Sequence, residues 1–224
     1  MKKLGITFIS LVFIGLGCFL LFNNKIQNNV VHHTQQTALH HLNKKRIAKN
    51  EKKKGQFDYS KVKDITWKQV TRARQKAKDD TSTAYGVGAI AIPSVGLNLP
   101  IENGLSDDAM ATGGCTMRAD QVMGKGNYPL AGHYMTDNGA LFSPVEKVQV
   151  GQNVYLTNLK NIYTYKVYKK AKVDPHAVWL VDNTKDNIVT LITCADGGVN
   201  RWAVRGSLVS VQKATKSNLK MFNI

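Results

Sequence analysis

From residue 85 onward, short apolar runs alternate with turn residues along the chain. Gly86 to Ile92 and Leu97 to Ile101 flank the turn Pro93-Ser-Val-Gly96. Similar runs, rich in β-branched and aromatic residues, follow at 128–135, 153–157, 162–173, 187–195 and 202–211. About eight strands with no repeated helix between them predict a mostly β fold, an antiparallel barrel or sandwich, and not a βαβ sheet.

Two helices are predicted beside these strands. Val62 to Lys78 carries scattered apolar residues among helix formers, which is typical of a helix that packs with one face. Ser106 is predicted to cap a short helix that runs through Thr112. We therefore expect a folded domain at 59–224, with its first helix at about 60–80 and the strands at about 85–213.

The N-terminus has a different pattern. Residues 5–22 carry no charge, and as a helix they would extend about 27 Å, close to the ~30 Å hydrocarbon core of a bilayer. Lys2 and Lys3 precede this run, so residues 1–4 are predicted to be cytoplasmic and the rest of the chain extracellular. A cleaved signal peptide is the alternative. The run is longer than a usual signal peptide core, and Asn23-Asn24-Lys25 is a poor cleavage site, so an uncleaved transmembrane anchor is favoured.

The formal net charge of +16 points to an anionic neighbour: nucleic acid, anionic lipid or a wall polymer. Residues 23–58 are strongly basic, and outside a membrane such a segment would meet headgroups or wall polymer, not nucleic acid. We interpret 23–58 as a solvated extracellular stalk. Its four histidines could instead bind a metal: His32, His33, His40 and His41.

Few side chains in the predicted domain can perform covalent chemistry. Cys194 ends a strand-like run just before a glycine-rich loop, His133 lies near the end of another run, and Arg201 follows the loop. Each alone is more often structural. Together they suit acyl transfer, in which a thiol attacks a carbonyl, an imidazole moves the proton and a guanidinium stabilises the oxyanion.

The segments around these residues resemble the class A sortases, the membrane-anchored cysteine transpeptidases of Gram-positive bacteria. Thr190-Leu-Ile-Thr-Cys194 resembles the family's TLxTC signature. Ala131-Gly-His133 resembles its histidine segment, and Arg201-Trp-Ala-Val-Arg-Gly206 resembles its R-x-x-V-x-G strand. The order of the three motifs makes the resemblance specific.

The resemblance implies a closed eight-stranded β-barrel and a defined reaction. The enzyme would cleave an LPXTG-type sorting signal of a surface protein between Thr and Gly, with Cys194 holding the Thr carbonyl as a thioester. An amine of a peptidoglycan precursor such as lipid II would release it. His133 would act as general acid and base, and Arg201 would bind the oxyanion or the substrate backbone. The implied substrate contacts are Ala131, Pro175, Val178, Ile192 and Thr193. Pro175 and Val178 belong to the segment 173–181, which resembles the family's loop between strands six and seven that closes over the Leu-Pro end.

Several residues keep alternative interpretations. Cys115 is either a small buried residue, or a redox partner or a thiol close to the site. Arg205 is the rival of Arg201, and His176 is expected on the surface. Some relatives bind calcium, and the candidate ligands here are Glu102, Asp107 and Asp108. No cofactor and no required metal is expected.

Three functional alternatives remain. A pilin-polymerising sortase would use a lysine amine as acceptor, but residues 213–224 are too short and charged for the second membrane span that such enzymes often carry. A non-enzymatic cationic tether for wall polymers would explain the charge and leave the three motifs unexplained. An L,D-transpeptidase-like enzyme is disfavoured, because its His-x-x-x-Ser-x-Gly-Cys arrangement is absent.

Overall fold

Eight strands form the body of the part of the protein that the structure describes. The computed structural model describes residues 29–62, 65–78, 86–135 and 140–224, together with Phe13 and Gly17. The strands are β1 (Gly86–Ile92), β2 (Leu97–Glu102), β3 (Gly114–Thr116), β4 (Asn127–Ala131), β5 (Asn153–Thr157), β6 (Asn161–Val173), β7 (Ile188–Ala195) and β8 (Asn200–Lys213).

These strands close into one barrel in the order β1-β2-β3-β4-β7-β8-β6-β5, with β5 paired back to β1. The pairs β2–β3 and β4–β7 are parallel. The remaining neighbours are antiparallel, and β6–β8 forms the longest ladder. The predicted closed, mostly β barrel with short helices is therefore confirmed.

Short helices surround the barrel. In the described part of the chain they are α1 at residues 29–40, α2 (Lys44–Asn50), α3 (Trp67–Lys78), α4 (Asp107–Met110) and α5 (Lys216–Leu219). The helix predicted from Val62 begins only at Trp67, because Thr66 and Gln69 form a capping box with bonds of 2.7 and 3.3 Å. Ser106 caps α4 as predicted, accepting from the Ala109 N–H at 3.4 Å.

Strand β1 is buried on both faces. Its inner side chains, such as Ile90, join the main barrel core. Its outer side chains Ala89 and Ala91 pack against Leu39 of α1 and Phe222 near the C-terminus. Small residues on the outer face allow the helices to lie directly on the strand.

The interpretation of 23–58 as a solvated stalk is wrong for its described part. Val31 and Leu39 of α1 and Ile47 of α2 are buried, and Asn50 donates its side-chain amide to Gly86 O at 3.0 Å. An apolar stripe spaced along two helices gives this lysine-rich segment a face that packs on the barrel. Of its histidines, His32, His33 and His40 are exposed and His41 is half-buried.

Two other expectations about elements need correction. The strand predicted at 128–135 ends at Ala131, and the ring of Phe142 packs against Gly132, the next residue. Strand β3 was not predicted, since three residues are too short to show a period of two.

The predicted membrane anchor lies outside the described residues, except for Phe13 and Gly17. Among the residues that the structure describes, no helix combines the length and apolar character needed to cross a bilayer.

Candidate active site

Strand β7 carries Cys194 one residue before its end. Side chains along this strand alternate, with Leu191 in the main barrel core and Thr193 buried, while Ile192 and Cys194 are half-buried on the outer face. The thiol is therefore at the rim of the barrel, where a substrate could reach it.

The parallel pairing of β4 with β7 brings His133 to the same rim. Ala131 pairs with Ile192, and the next residue, Gly132, donates its N–H to Ile192 O at 3.1 Å. The Thr193 hydroxyl donates to Gly132 O at 2.8 Å in a buried bond. The chain thus continues along β7 beyond the end of β4, and His133 follows beside the last residues of that strand.

Glycine is required before His133 by close packing. A Cβ on Gly132 would lie 2.4 Å from Cγ of Phe142, which is completely buried. Phe142 also donates its backbone N–H to His133 O at 3.0 Å. The aromatic ring and this hydrogen bond together fix the backbone that carries the imidazole, and His133 itself is 8% exposed.

Arg201 lies opposite Cys194 in the antiparallel β7–β8 ladder. Such partners have Cα atoms roughly 5 Å apart and side chains on one face, so the guanidinium shares the outer face with the thiol. Arg205 pairs with Thr190 on the same face, and its guanidinium carbon lies 5.8 Å from the centre of the Trp179 ring. Arg205 is thus directed to Trp179, an exposed aromatic residue in the segment between β6 and β7.

The turn at residues 196–199 connects Cys194's strand to Arg201's strand. Asp196 and the two glycines after it have φ values of 52°, 65° and 96°. A non-glycine residue with positive φ is uncommon. The Asp196 carboxylate accepts from Lys172 Nζ at 2.6 Å and from Asn200 Nδ2 at 2.9 Å, which holds it in this conformation.

This turn holds the arginine through its carbonyl groups. Nη1 of Arg201 donates to Gly198 O at 2.7 Å and to Asn200 O at 3.0 Å. The bond to Lys172, followed by that to Asn200, lowers the pKa of Asp196 below its usual range. The carboxylate that anchors the turn is therefore charged at neutral pH.

One cavity of about 210 Å³ is bordered by all eight residues that the sequence had assigned to the site. Cys194, His133 and Arg201 lie along it together with Gly132. The predicted substrate contacts Ala131, Pro175, Val178, Ile192 and Thr193 also line it. Arg205 does not belong to this lining, which distinguishes it from Arg201.

Part of the lining had not been predicted. The residues that no prediction covered are mostly apolar: Tyr59, Val62, Leu105, Met110 and Met117. Asp174, Ala177, Leu180 and Val181 belong to the loop 173–181 that the resemblance had implied. Tyr59 and Val62 line the cavity at the point where their segment is attached to the barrel. The attachment is a hydrogen bond of 2.6 Å from the Leu105 N–H to Gln56 O, three residues before Tyr59. Apolar residues carry no chemical signature, so only the path of the chain could identify them.

Cys115 lies in the apolar cluster beneath the cavity, with Leu105, Met110 and Val181. It is completely buried, and burial, then the nearby Glu102 carboxylate, raises the pKa of its thiol well above the usual range. The thiol is therefore neutral at physiological pH, as expected for a small buried residue. His176 is on the surface as expected, with Nδ1 3.0 Å from Asp174 Oδ1.

The candidate calcium ligands do not meet. Glu102 is buried beside Cys115, Asp107 is exposed on α4, and Asp108 is 3.6 Å from the guanidinium of Arg72. Across the described residues, no three histidine, cysteine or acidic side chains are grouped to hold a metal ion.

Comparison with known proteins adds an independent observation. Residues 90–209 match the sortase domain. The chain is 37% identical to Sortase A of Listeria monocytogenes over 211 residues, which cover 93% of each protein. It is 36% identical to Sortase A of Streptococcus agalactiae over 193 residues, covering 83% of this chain and 76% of that protein.

A solved structure agrees with this likeness. The crystal structure of Listeria monocytogenes sortase A is 45% identical, with a TM-score of 0.60 over 62% of this chain and 98% of that chain. The similarity therefore covers the barrel and extends in sequence over most of the N-terminal segment.

Proposed function

Because the chain belongs to the sortase family of cysteine transpeptidases, we propose that it cleaves LPXTG-type sorting signals between Thr and Gly and transfers the surface protein to an amine of a peptidoglycan precursor. Cys194 is the nucleophile, His133 the general acid and base, and Arg201 the stabiliser of the oxyanion or the substrate backbone. The non-enzymatic tether is disfavoured, since membership of a transpeptidase family explains the three motifs.

The reaction has two acyl transfers. The Cys194 thiolate attacks the Thr carbonyl, the C–N bond to Gly breaks, and His133 gives a proton to the departing amine. The resulting thioester is attacked by the acceptor amine, which loses its proton to His133 as the C–S bond breaks. Arg201 donates N–H groups to the oxygen that becomes negative in both steps. No step needs a metal or a cofactor.

The observation that carries this proposal is the convergence of one thiol, one imidazole and one guanidinium at a single cavity. The three come from different strand ends and are held by the β4–β7 and β7–β8 pairings. A cysteine nucleophile needs a base and an oxyanion donor within reach, and this geometry supplies candidates for both.

The lining supports a substrate with an apolar end. Leu105, Met110, Val178 and Val181 surround the cavity, which would favour the Leu-Pro portion of a sorting signal. We propose further that residues 5–22 anchor the enzyme in the cell membrane, that the catalytic domain faces outward, and that the acceptor is lipid II or a similar precursor.

The test mixes the full-length chain in detergent with an LPXTG peptide, and mass spectrometry detects the products. We expect a peptide thioester on Cys194 and, after addition of a glycine-type amine, a new amide. Cys194→Ala should form neither product. Cys115→Ala is the matched control and should form both, because that thiol lies beneath the cavity and not along it.

A lysine-bearing acceptor in a parallel reaction distinguishes the pilin-polymerising alternative. Preferential release of the thioester by lysine would favour that function. Absence of any adduct on the wild-type chain, across peptides with different X residues, would contradict the proposed reaction.

A further inference from the structure

Asn127, at the start of β4, is completely buried, yet its side chain joins three parts of the protein. Its Nδ2 donates to Leu180 O and to Asp182 O, both at 2.8 Å. Its Oδ1 accepts from the Thr190 hydroxyl at 2.8 Å. Both amide hydrogens and the carbonyl are therefore used.

These contacts connect the two motif-bearing strands to one wall of the cavity. Asn127 belongs to the strand that leads to His133, and Thr190 belongs to the strand that leads to Cys194. Thr190 is itself completely buried, four positions before the thiol, and is the first residue of the TLITC segment. The proposed chemistry gives Thr190 no role, and this hydrogen bond supplies one.

The segment between β6 and β7 is buried at the end that leads into β7 and exposed before it. Leu180 and Val181 are buried and line the cavity, whereas Val178 and Trp179 are more than half exposed. A second donor reinforces the held part, since Nη1 of Arg118 lies 3.1 Å from Val181 O. The wall is thus buried and hydrogen-bonded where Asn127 reaches it and solvent-exposed at its outer edge.

We propose that Asn127 is a positioning residue that sets the distance between the Leu180–Val181 wall and the strand of Cys194, and so tunes affinity for the apolar end of the substrate. Thr190 acts with it, because its hydroxyl orients the amide so that both N–H groups face the wall. The inference rests on the proposed function, since it assigns the wall to the sorting signal.

The chemistry of the amide makes the proposal testable with small changes. An aspartic acid in place of Asn127 supplies at most one donor, so at least one buried carbonyl of the wall loses its hydrogen bond. Valine in place of Thr190 removes the bond that orients the amide, and serine keeps it. Each change leaves the side chains of Cys194, His133 and Arg201 intact.

The experiment measures kcat and KM of the full-length chain on two peptides, one with Leu and one with Ala at the first position of the sorting signal. For Asn127→Asp we expect KM for the Leu peptide to rise about tenfold or more, with kcat changed less. The rise should be clearly smaller for the Ala peptide, which has less side chain to place against the wall. Thr190→Val should raise KM by a smaller factor, and Thr190→Ser should restore it.

Two further readouts separate positioning from general damage. Iodoacetamide should alkylate Cys194 at the wild-type rate in Asn127→Asp, because a small reagent does not need the wall. Amide hydrogen exchange should speed up at residues 178–183. The matched control is Asn98→Asp, whose amide donates to Met221 O at 3.2 Å away from the cavity; it should alter thermal stability without altering KM.

Equal KM increases for both peptides, or an unchanged KM with a lowered Tm, would overturn the inference. If Asn127→Asp fails to fold, the Thr190→Val and Thr190→Ser pair decides by the same criteria. If the wild-type chain cleaves neither peptide, the proposed function fails. Amide hydrogen exchange at residues 178–183 then still tests whether Asn127 positions the wall. Unchanged exchange in both Asn127→Asp and Thr190→Val would show that it does not.

Discussion

Two supports of opposite chemistry flank Cys194. On the β4–β7 side, neutral hydrogen bonds hold the backbone before His133, and the Thr193 hydroxyl that makes one of them is 2% exposed. On the β7–β8 side, an ion pair between Lys172 and Asp196 holds the turn that carries Arg201, and both of its side chains are at least 40% exposed.

The difference indicates how strongly each support depends on its own contacts. A buried acceptor that loses its donor cannot turn to water, which costs about 1–3 kcal/mol. An exposed ion pair can be replaced by water and dissolved ions, and its contribution is small and screened by salt. Small side-chain substitutions on the β4–β7 side should therefore impair the protein, whereas substitutions in the turn should be tolerated. The exception is the guanidinium of Arg201, which the turn holds.

Replacing that guanidinium should have the largest effect. Arg201→Lys keeps the positive charge but loses the planar set of donors, so an oxyanion would lose at least one fixed hydrogen bond. We expect kcat for the LPXTG peptide to fall about 100-fold, as for other lost oxyanion donors. Steady-state kinetics on purified protein measure this.

Arg205→Lys is the matched control for Arg201→Lys. That arginine faces the Trp179 ring and does not border the cavity, so a change below about threefold is expected. A larger loss for Arg205→Lys than for Arg201→Lys would exchange the roles of the two residues.

Thr193→Val should have the next largest effect. Valine is nearly isosteric and leaves Gly132 O without its buried donor, so the free energy of unfolding should fall by about 1–3 kcal/mol. Because the lost bond holds the backbone before His133, we expect kcat to fall about tenfold. Chemical denaturation and peptide turnover measure the two effects, and Thr193→Ser should restore both. Wild-type turnover in Thr193→Val would show that this bond stabilises the fold without positioning His133.

The sequence placed its catalytic candidates at this cavity better than it placed the walls, and their catalytic roles stay predictions. Cys194, His133 and Arg201 could be found because few residue types perform acyl transfer, and each stands in a recognisable segment. The β-rich runs predicted a mostly β barrel or sandwich, and the resemblance to the sortases implied the closed barrel. Residue type therefore identified the parts of the molecule whose chemistry is restricted.

Other parts depend on contacts distant in sequence. Val62 and Met110 are ordinary apolar residues, and only the folded path of the chain brings them to the cavity. The burial of Leu39 and Ile47 was missed because lysines dominate the surrounding segment and its apolar stripe is narrow. Asn127 gave no signal, since a polar residue at the start of a strand is usually solvated.

The smallest effect should come from Asp196→Asn, which removes the ion pair with Lys172 and leaves an amide near Asn200. We expect turnover to fall less than threefold at low salt, with no difference from wild type at about 1 M NaCl. The pH dependence of the ion pair follows from the lowered pKa of Asp196. The ion pair is present at neutral pH, and it is lost only when the pH falls below the usual pKa range of an aspartate and the carboxylate is protonated. Turnover measured against ionic strength tests this. A salt-independent loss of tenfold or more would mean that the turn is as rigidly required as the buried support beside His133, and the contrast between the two sides would no longer hold.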